Sequence, residues 1–139
     1  MWQKILGVIL VGLMLLLPGT GFGRQDSTPP IYTKLSASQA KAVMDRGEPY
    51  LLLDVRTEAE FRERHIPGAM LLPHAELKER AATELPDKNA LILLYCRSGR
   101  RSAAAAHELV RMGYTQVYDF GGINDWPYEI ATGTGNRKP

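Results

Sequence analysis

At 139 residues and 15.5 kDa the chain is long enough to bury one substantial core and too short for two domains. Its composition, 45% hydrophobic and 23% charged, is that of an ordinary globular protein rather than a disordered or fibrous one. A formal net charge of +2 excludes a chain-wide basic field of the kind that holds nucleic acid or an acidic membrane surface, so any positive potential that serves function has to be local.

The amino terminus stands apart from the rest. Met1-Trp2-Gln3-Lys4 brings a positive side chain, Ile5–Leu17 is uncharged and apolar, and Pro18-Gly19-Thr20-Gly21-Phe22-Gly23 follows with a breaker and small residues. This order predicts a secretory signal peptide over residues 1–23, cleaved near Gly21 or Gly23. The alternative is an uncleaved membrane anchor, because the uncharged stretch from Ile5 to Gly23 is just long enough to span a bilayer. The segment has no cysteine, which excludes a lipoprotein anchor. Residues 24–30 are polar and proline-bearing and read as a linker, 31–131 as the folded domain, and 132–139 as a flexible, partly basic tail.

Within the domain, short apolar runs alternate with helical segments. Ser36-Ala37-Ser38-Gln39 has the form of a capping box, and Gly47 suits the end of the helix it opens. Tyr50–Leu53 reads as a buried strand ended by Asp54-Val55-Arg56, and Thr57–Glu60 as a second capping box opening a short helix to about Arg64. Ala69–Leu72 reads as a brief strand, and Ala75–Thr83 as a helix stopped before Pro86. A further strand covers Ala90–Tyr95. Ser102 is expected to cap a helix whose alanines 103–106 allow close approach to a sheet, with Gly113 ending it. Gln116–Asp119 is expected as a strand, and Gly121-Gly122 as a turn into a last helix bearing Trp126. Strands alternating with helices, without hairpin signals, predict an α/β fold: a parallel sheet covered on both faces. In such sheets ligands bind beyond the carboxyl ends of the strands, where Asp54-Val55-Arg56 and Cys96 both fall.

Cys96 is the only cysteine, set between the apolar run and Arg97-Ser98-Gly99-Arg100-Arg101-Ser102. A single thiol forms no internal disulfide, so it is either a small buried hydrophobe or a reactive group. The strand-loop-helix setting favours the second, since free backbone N–H groups, a helix dipole and three arginines all stabilise a thiolate and an anionic partner. Cysteine phosphatases place an arginine six positions after the nucleophile. That position is Ser102 here, and Arg101 comes one residue early, so the loop has a smaller radius, better suited to a terminal sulfur than to a phosphoryl group.

Tyr95-Cys96-Arg97-Ser98-Gly99-Arg100-Arg101-Ser102 resembles the active-site loop of the rhodanese (thiosulfate sulfurtransferase) family. The resemblance extends to Leu53-Asp54-Val55-Arg56, to Glu60-Phe61 with His65-Ile66-Pro67-Gly68-Ala69, and to Gly121-Gly122 with Trp126, in family order. It implies a three-layer rhodanese-like fold over residues 31–131, with a central parallel sheet of about five strands and helices on both faces. It further implies sulfane-sulfur transfer through a Cys96 persulfide, from thiosulfate to cyanide or a thiol, without metal or cofactor. Arg97, Ser98, Gly99, Arg100 and Arg101 would form the substrate-binding loop, Arg97 and Arg100 docking the sulfonate and Arg101 bracing the loop. With the export signal, the chain is similar to periplasmic rhodaneses of the phage-shock type. That implies a periplasmic location, or attachment to the inner membrane if the segment stays uncleaved, with no nucleic-acid partner.

Two positions depart from the family pattern: Arg64 stands where many relatives have glycine, and Arg100 where asparagine is common. Asp54, Arg56 and Ser102 are supporting candidates, with Asp54 expected to accept backbone N–H groups and Arg56 to pair with Glu60. His65 is expected to pack the Pro67-Gly68 corner, and His74 and His107 to lie on the surface without metal-ligand spacing. Two other functions stay compatible with the residues. One is a persulfide carrier or partner-binding module with little turnover. The other is a cysteine-dependent phosphatase or arsenate-type reductase, which the short loop and the lack of a second cysteine disfavour.

Overall fold

The structure, a computed structural model, describes residues 31–135; the apolar amino-terminal segment, the linker and residues 136–139 lie outside the described residues. Five strands form one sheet: β1 (Thr33–Lys34), β2 (Leu51–Asp54), β3 (Met70–Leu71), β4 (Leu91–Cys96) and β5 (Gln116–Gly122). They lie in the order β1-β5-β4-β2-β3, every pairing parallel. The helices are α1 (Ala37–Asp45), α2 (Glu58–Glu63), α3 (Leu77–Glu84) and α4 (Arg100–Arg111), with 3-10 turns at His74–Glu76 and Ile123–Asp125.

Strand alternation sends successive side chains to opposite faces, and it divides the core in two. Ile92, Leu94 and Cys96 of β4 point with Leu53 toward α3 and α4, where Leu77, Ala81, Ala105, Ala106 and Leu109 cover them. Leu93 and Tyr95 point with Leu52 to the other face, packed by Ala40 of α1 and by Phe120, Ile123 and Trp126. A parallel sheet buried on both faces accounts for the near-continuous apolar runs of β2 and β4. Because β4 is central, its last residue, Cys96, lies at the carboxyl edge of the sheet with a neighbouring strand on each side.

Both expected capping boxes form, Ser36 with Gln39 and Thr57 with Glu60. Other elements differ from the sequence reading. The expected helix at Ala75–Thr83 is split into a 3-10 turn and α3. Gly99 rather than Ser102 precedes α4: its φ of +107° turns the chain into the helix at Arg100, and Ser102 falls in the first turn. The expected last helix is a single 3-10 turn ending before Trp126. Pro127 explains this, since it drives the preceding residue to an extended conformation, φ −86° and ψ 109° at Trp126. β5 runs to Gly122 rather than Asp119, with a register shift that sets Leu94 opposite Asp119 but Cys96 opposite Gly122. That bulge lies beside the cysteine loop.

Candidate active site

The loop leaving β4 folds back over its own cysteine. Gly99 N–H donates to Cys96 Sγ at 3.0 Å, and the thiol lies 3.5 Å from Ser102 Oγ. Cys96 is 1% exposed. Burial opposes the thiolate, but hydrogen bonds from the Ser102 hydroxyl and from the Ser102, Gly99 and Ser98 amides outweigh it, so the thiol titrates below its ordinary value. The arginines, expected from the sequence to share in this, are not among the leading favourable contributions, which come from these neutral donors.

Gly122 sets how closely the loop approaches β5: a Cβ there would collide with the Arg97 carbonyl oxygen and the Ser98 Cα. Asn124 N–H donates to that same carbonyl at 3.2 Å, fixing the Arg97–Ser98 peptide. Arg97, Ser98 and Arg100 are exposed, and among the described residues neither arginine makes an ion pair. Arg101 grips Glu60 of α2 through two bonds of 2.8 and 2.7 Å. That hydrogen-bonded guanidinium is the chief cause holding the Glu60 carboxyl at about 2.

Arg56 does not form the expected pair with Glu60. Arg56 turns back on Asp54, two residues away at the end of the same strand, with Nη2 at 2.7 Å and Nε at 2.9 Å from the carboxylate. Both side chains are buried, and the Arg56 backbone N–H also donates to Asp54, the one part of the expected Asp54 role that the structure has. Tyr95 completes the group. Its hydroxyl donates to Asp54 at 2.7 Å and accepts from Ile66 N–H at 3.0 Å, while Arg56 Nη2 also reaches the Arg64 carbonyl at 2.6 Å. In the sequence Tyr95 looks like one more residue of an apolar strand. Its signal was a hydroxyl at the end of an otherwise aliphatic run, which burial obliges to find partners.

His65 is buried; it stacks on Phe61 with ring centroids 3.9 Å apart, and its Nδ1 lies 2.8 Å from the Phe61 carbonyl. It is tied to the segment at Ala131 by paired backbone bonds. His74 lies 3.7 Å from Glu108, and His107 packs edge-on to Tyr32. Among the described residues no group of three His, Cys, Asp or Glu side chains gathers to hold a metal.

A buried cysteine whose hydrogen bonds favour the thiolate, at the carboxyl edge of a parallel sheet, is the candidate active site of this α/β domain. The family model of the rhodanese-like domain matches residues 36–128, and the chain belongs to that family. It is 44% identical over 73 residues to the thiosulfate sulfurtransferase PspE of Escherichia coli, covering 52% of this chain and 70% of that protein. It is 31% identical over 109 residues to the thiosulfate sulfurtransferase GlpE of Coxiella burnetii, covering 78% and 99%. Among solved structures, a rhodanese with anions from E. coli superposes with a TM-score of 0.58 at 39% identity, over 61% of this chain and all (100%) of that one. The chain is thus a rhodanese-like sulfurtransferase with a single buried cysteine.

Proposed function

We propose that the protein transfers the outer sulfur of thiosulfate to cyanide or a thiol through a persulfide on Cys96. The observation that carries this reading is Gly99 N–H at 3.0 Å from Cys96 Sγ, within a loop whose hydrogen bonds favour the thiolate. The thiolate attacks the sulfane sulfur; the bond to the sulfonate sulfur breaks and sulfite leaves with the electron pair, so charge and electrons balance without a further reactant. The new outer sulfur stands about 2 Å beyond Sγ, and the loop amides oppose its negative charge as fixed dipoles. Arg97 and Arg100, exposed in the loop, would meet the sulfonate, while Arg101, paired with Glu60, would brace the loop. An acceptor then takes the outer sulfur and returns Cys96 to the thiolate.

The test is thiosulfate-to-cyanide transfer by the purified protein and by Cys96→Ser, with intact mass before and after thiosulfate. The expected result is turnover and a gain of one sulfur in the wild type and neither in the variant. Turnover that survives in Cys96→Ser overturns the reading. The amino-terminal sequence supports an exported, periplasmic protein; intact mass of the chain recovered from a periplasmic fraction is expected to begin near residue 22 or 24.

A further inference from the structure

Beside the loop lies a pocket of about 120 Å³ lined by Arg56, Glu60, Glu63, Arg64 and Arg97. Two of its charges are already engaged, Arg56 by Asp54 and Glu60 by Arg101. Arg64, Arg97 and Glu63 remain, and none of the three has an ion-pair partner among the described residues. Arg64 is nevertheless held in place. Its Nη2 donates to Asn124 Oδ1 at 2.9 Å, its carbonyl accepts from Arg56, and Asn124 N–H donates to the Arg97 carbonyl. One planar guanidinium is therefore moored to the segment that backs the cysteine loop, with most of its five N–H donors still free for a ligand.

We propose that this pocket seats the α-amino-acid head of the acceptor thiol, Arg64 and Arg97 taking the carboxylate and Glu63 the ammonium group. The proposal rests on the sulfurtransferase reading and names its acceptor class. Size supports a head group of this kind, since about 120 Å³ is the share of roughly four waters, too little for a protein face. Charge supports it too: two guanidinium groups and one carboxylate complement a zwitterion, and Arg binds carboxylate through two parallel bonds. Arg97 follows Cys96 directly, so their Cα atoms stand about 3.8 Å apart and the pocket that Arg97 lines adjoins the cysteine loop. The acceptor thiolate attacks the outer sulfur of the persulfide, the S–S bond to Cys96 breaks with its electron pair left on Sγ, and the outer sulfur departs on the acceptor as a new persulfide. Arg97 serves the donor's sulfonate in one half-reaction and the acceptor's carboxylate in the other, because sulfite leaves before the acceptor arrives.

The experiment loads the purified protein from thiosulfate and measures the concentration dependence of discharge to four thiols. These are cysteine, 3-mercaptopropionate with a carboxylate only, cysteamine with an ammonium only, and 2-mercaptoethanol with neither. Each variant is compared with wild type thiol by thiol, so differences in thiol pKa cancel. Arg64→Gln is expected to raise KM for cysteine and 3-mercaptopropionate about fivefold or more relative to 2-mercaptoethanol. Arg64→Lys is expected to restore only part of that loss, since lysine keeps the charge but not the paired bonds, and Glu63→Gln to narrow the preference for cysteine over 3-mercaptopropionate. An equal change for all four thiols in Arg64→Gln overturns the acceptor seat while leaving the sulfurtransferase reading intact. A wild-type protein that takes up no sulfur overturns both.

Discussion

Ser102 is fully buried and has one hydroxyl proton for three neighbours: Cys96 Sγ at 3.5 Å, the Gly99 carbonyl at 3.1 Å and the Gly121 carbonyl at 3.3 Å. With Cys96 as a thiol, the S–H donates to Ser102 Oγ and the hydroxyl proton goes to a carbonyl. Once the sulfur ionises, the hydroxyl does better turned toward it, because hydrogen bonds to charged acceptors are the stronger ones. Burial works against the Cys96 thiolate, and the Ser102 side chain is first among the groups that offset it. Ser102→Ala is therefore expected to raise the thiol pKa, leaving less thiolate at any pH below it. The alkylation rate of Cys96 by iodoacetamide, followed against pH, should shift to higher pH in the variant. A profile that stays in place or moves to lower pH would show that the amides alone hold the thiolate.

Between elements, the site is held by two polar ties. One runs from Glu60 on α2 to Arg101 on α4, the other from Asp54 and Arg56 at the end of β2 through Tyr95 of β4 to the turn at Arg64–Ile66. Glu60 does double duty, since its carboxylate also accepts the Thr57 N–H at 3.0 Å and so caps α2. Its folded pKa is depressed from 4.5 to about 2, so the stability it contributes is present above pH 4.5 and disappears as pH falls toward 2. The pair is partly exposed, with side-chain accessibilities of 36% for Arg101 and 22% for Glu60, which trims its worth well below what the full shift implies. Glu60→Gln is expected to cost about 1 to 2 kcal/mol at pH 7 and to lose that deficit in acid. Urea midpoints of the two proteins should converge as pH drops below 4.5; midpoints that stay equally far apart in acid would mean the loss comes from the cap geometry and not the charge.

Across the whole molecule, what the sequence made legible were features carried by a local pattern: the aliphatic strands β2 and β4, both capping boxes and the cysteine at a strand end. What stayed hidden depends on contacts between distant segments. Arg56 and Glu60 stand four apart and invite pairing, yet Glu60 meets Arg101, 41 positions on, because α2 and α4 converge above the carboxyl edge of the sheet. β1 has no apolar run at all: Thr33 and Lys34 are exposed and become a strand only through pairing with Tyr118 and Asp119 of β5. This edge strand is held by backbone bonds, including Leu35 N–H to the Asp119 carbonyl at 2.9 Å, and by Tyr32, which packs on the core beside α4. A chain beginning at Ser36 is therefore expected to fold but to lose about 1 to 3 kcal/mol, the net worth of a few hydrogen bonds and of the Tyr32 and Leu35 contacts with the core, less the entropy of ordering the strand. Sulfur transfer in that chain should stay within about twofold of the longer one, because each bond to Cys96 Sγ comes from the loop and from α4 rather than from β1. Urea unfolding and the cyanide assay on the two proteins check both halves. A large loss of turnover at unchanged stability would mean that the outer edge of the sheet reaches the cysteine through β5, whose Gly121 and Gly122 are the residues packed against the loop.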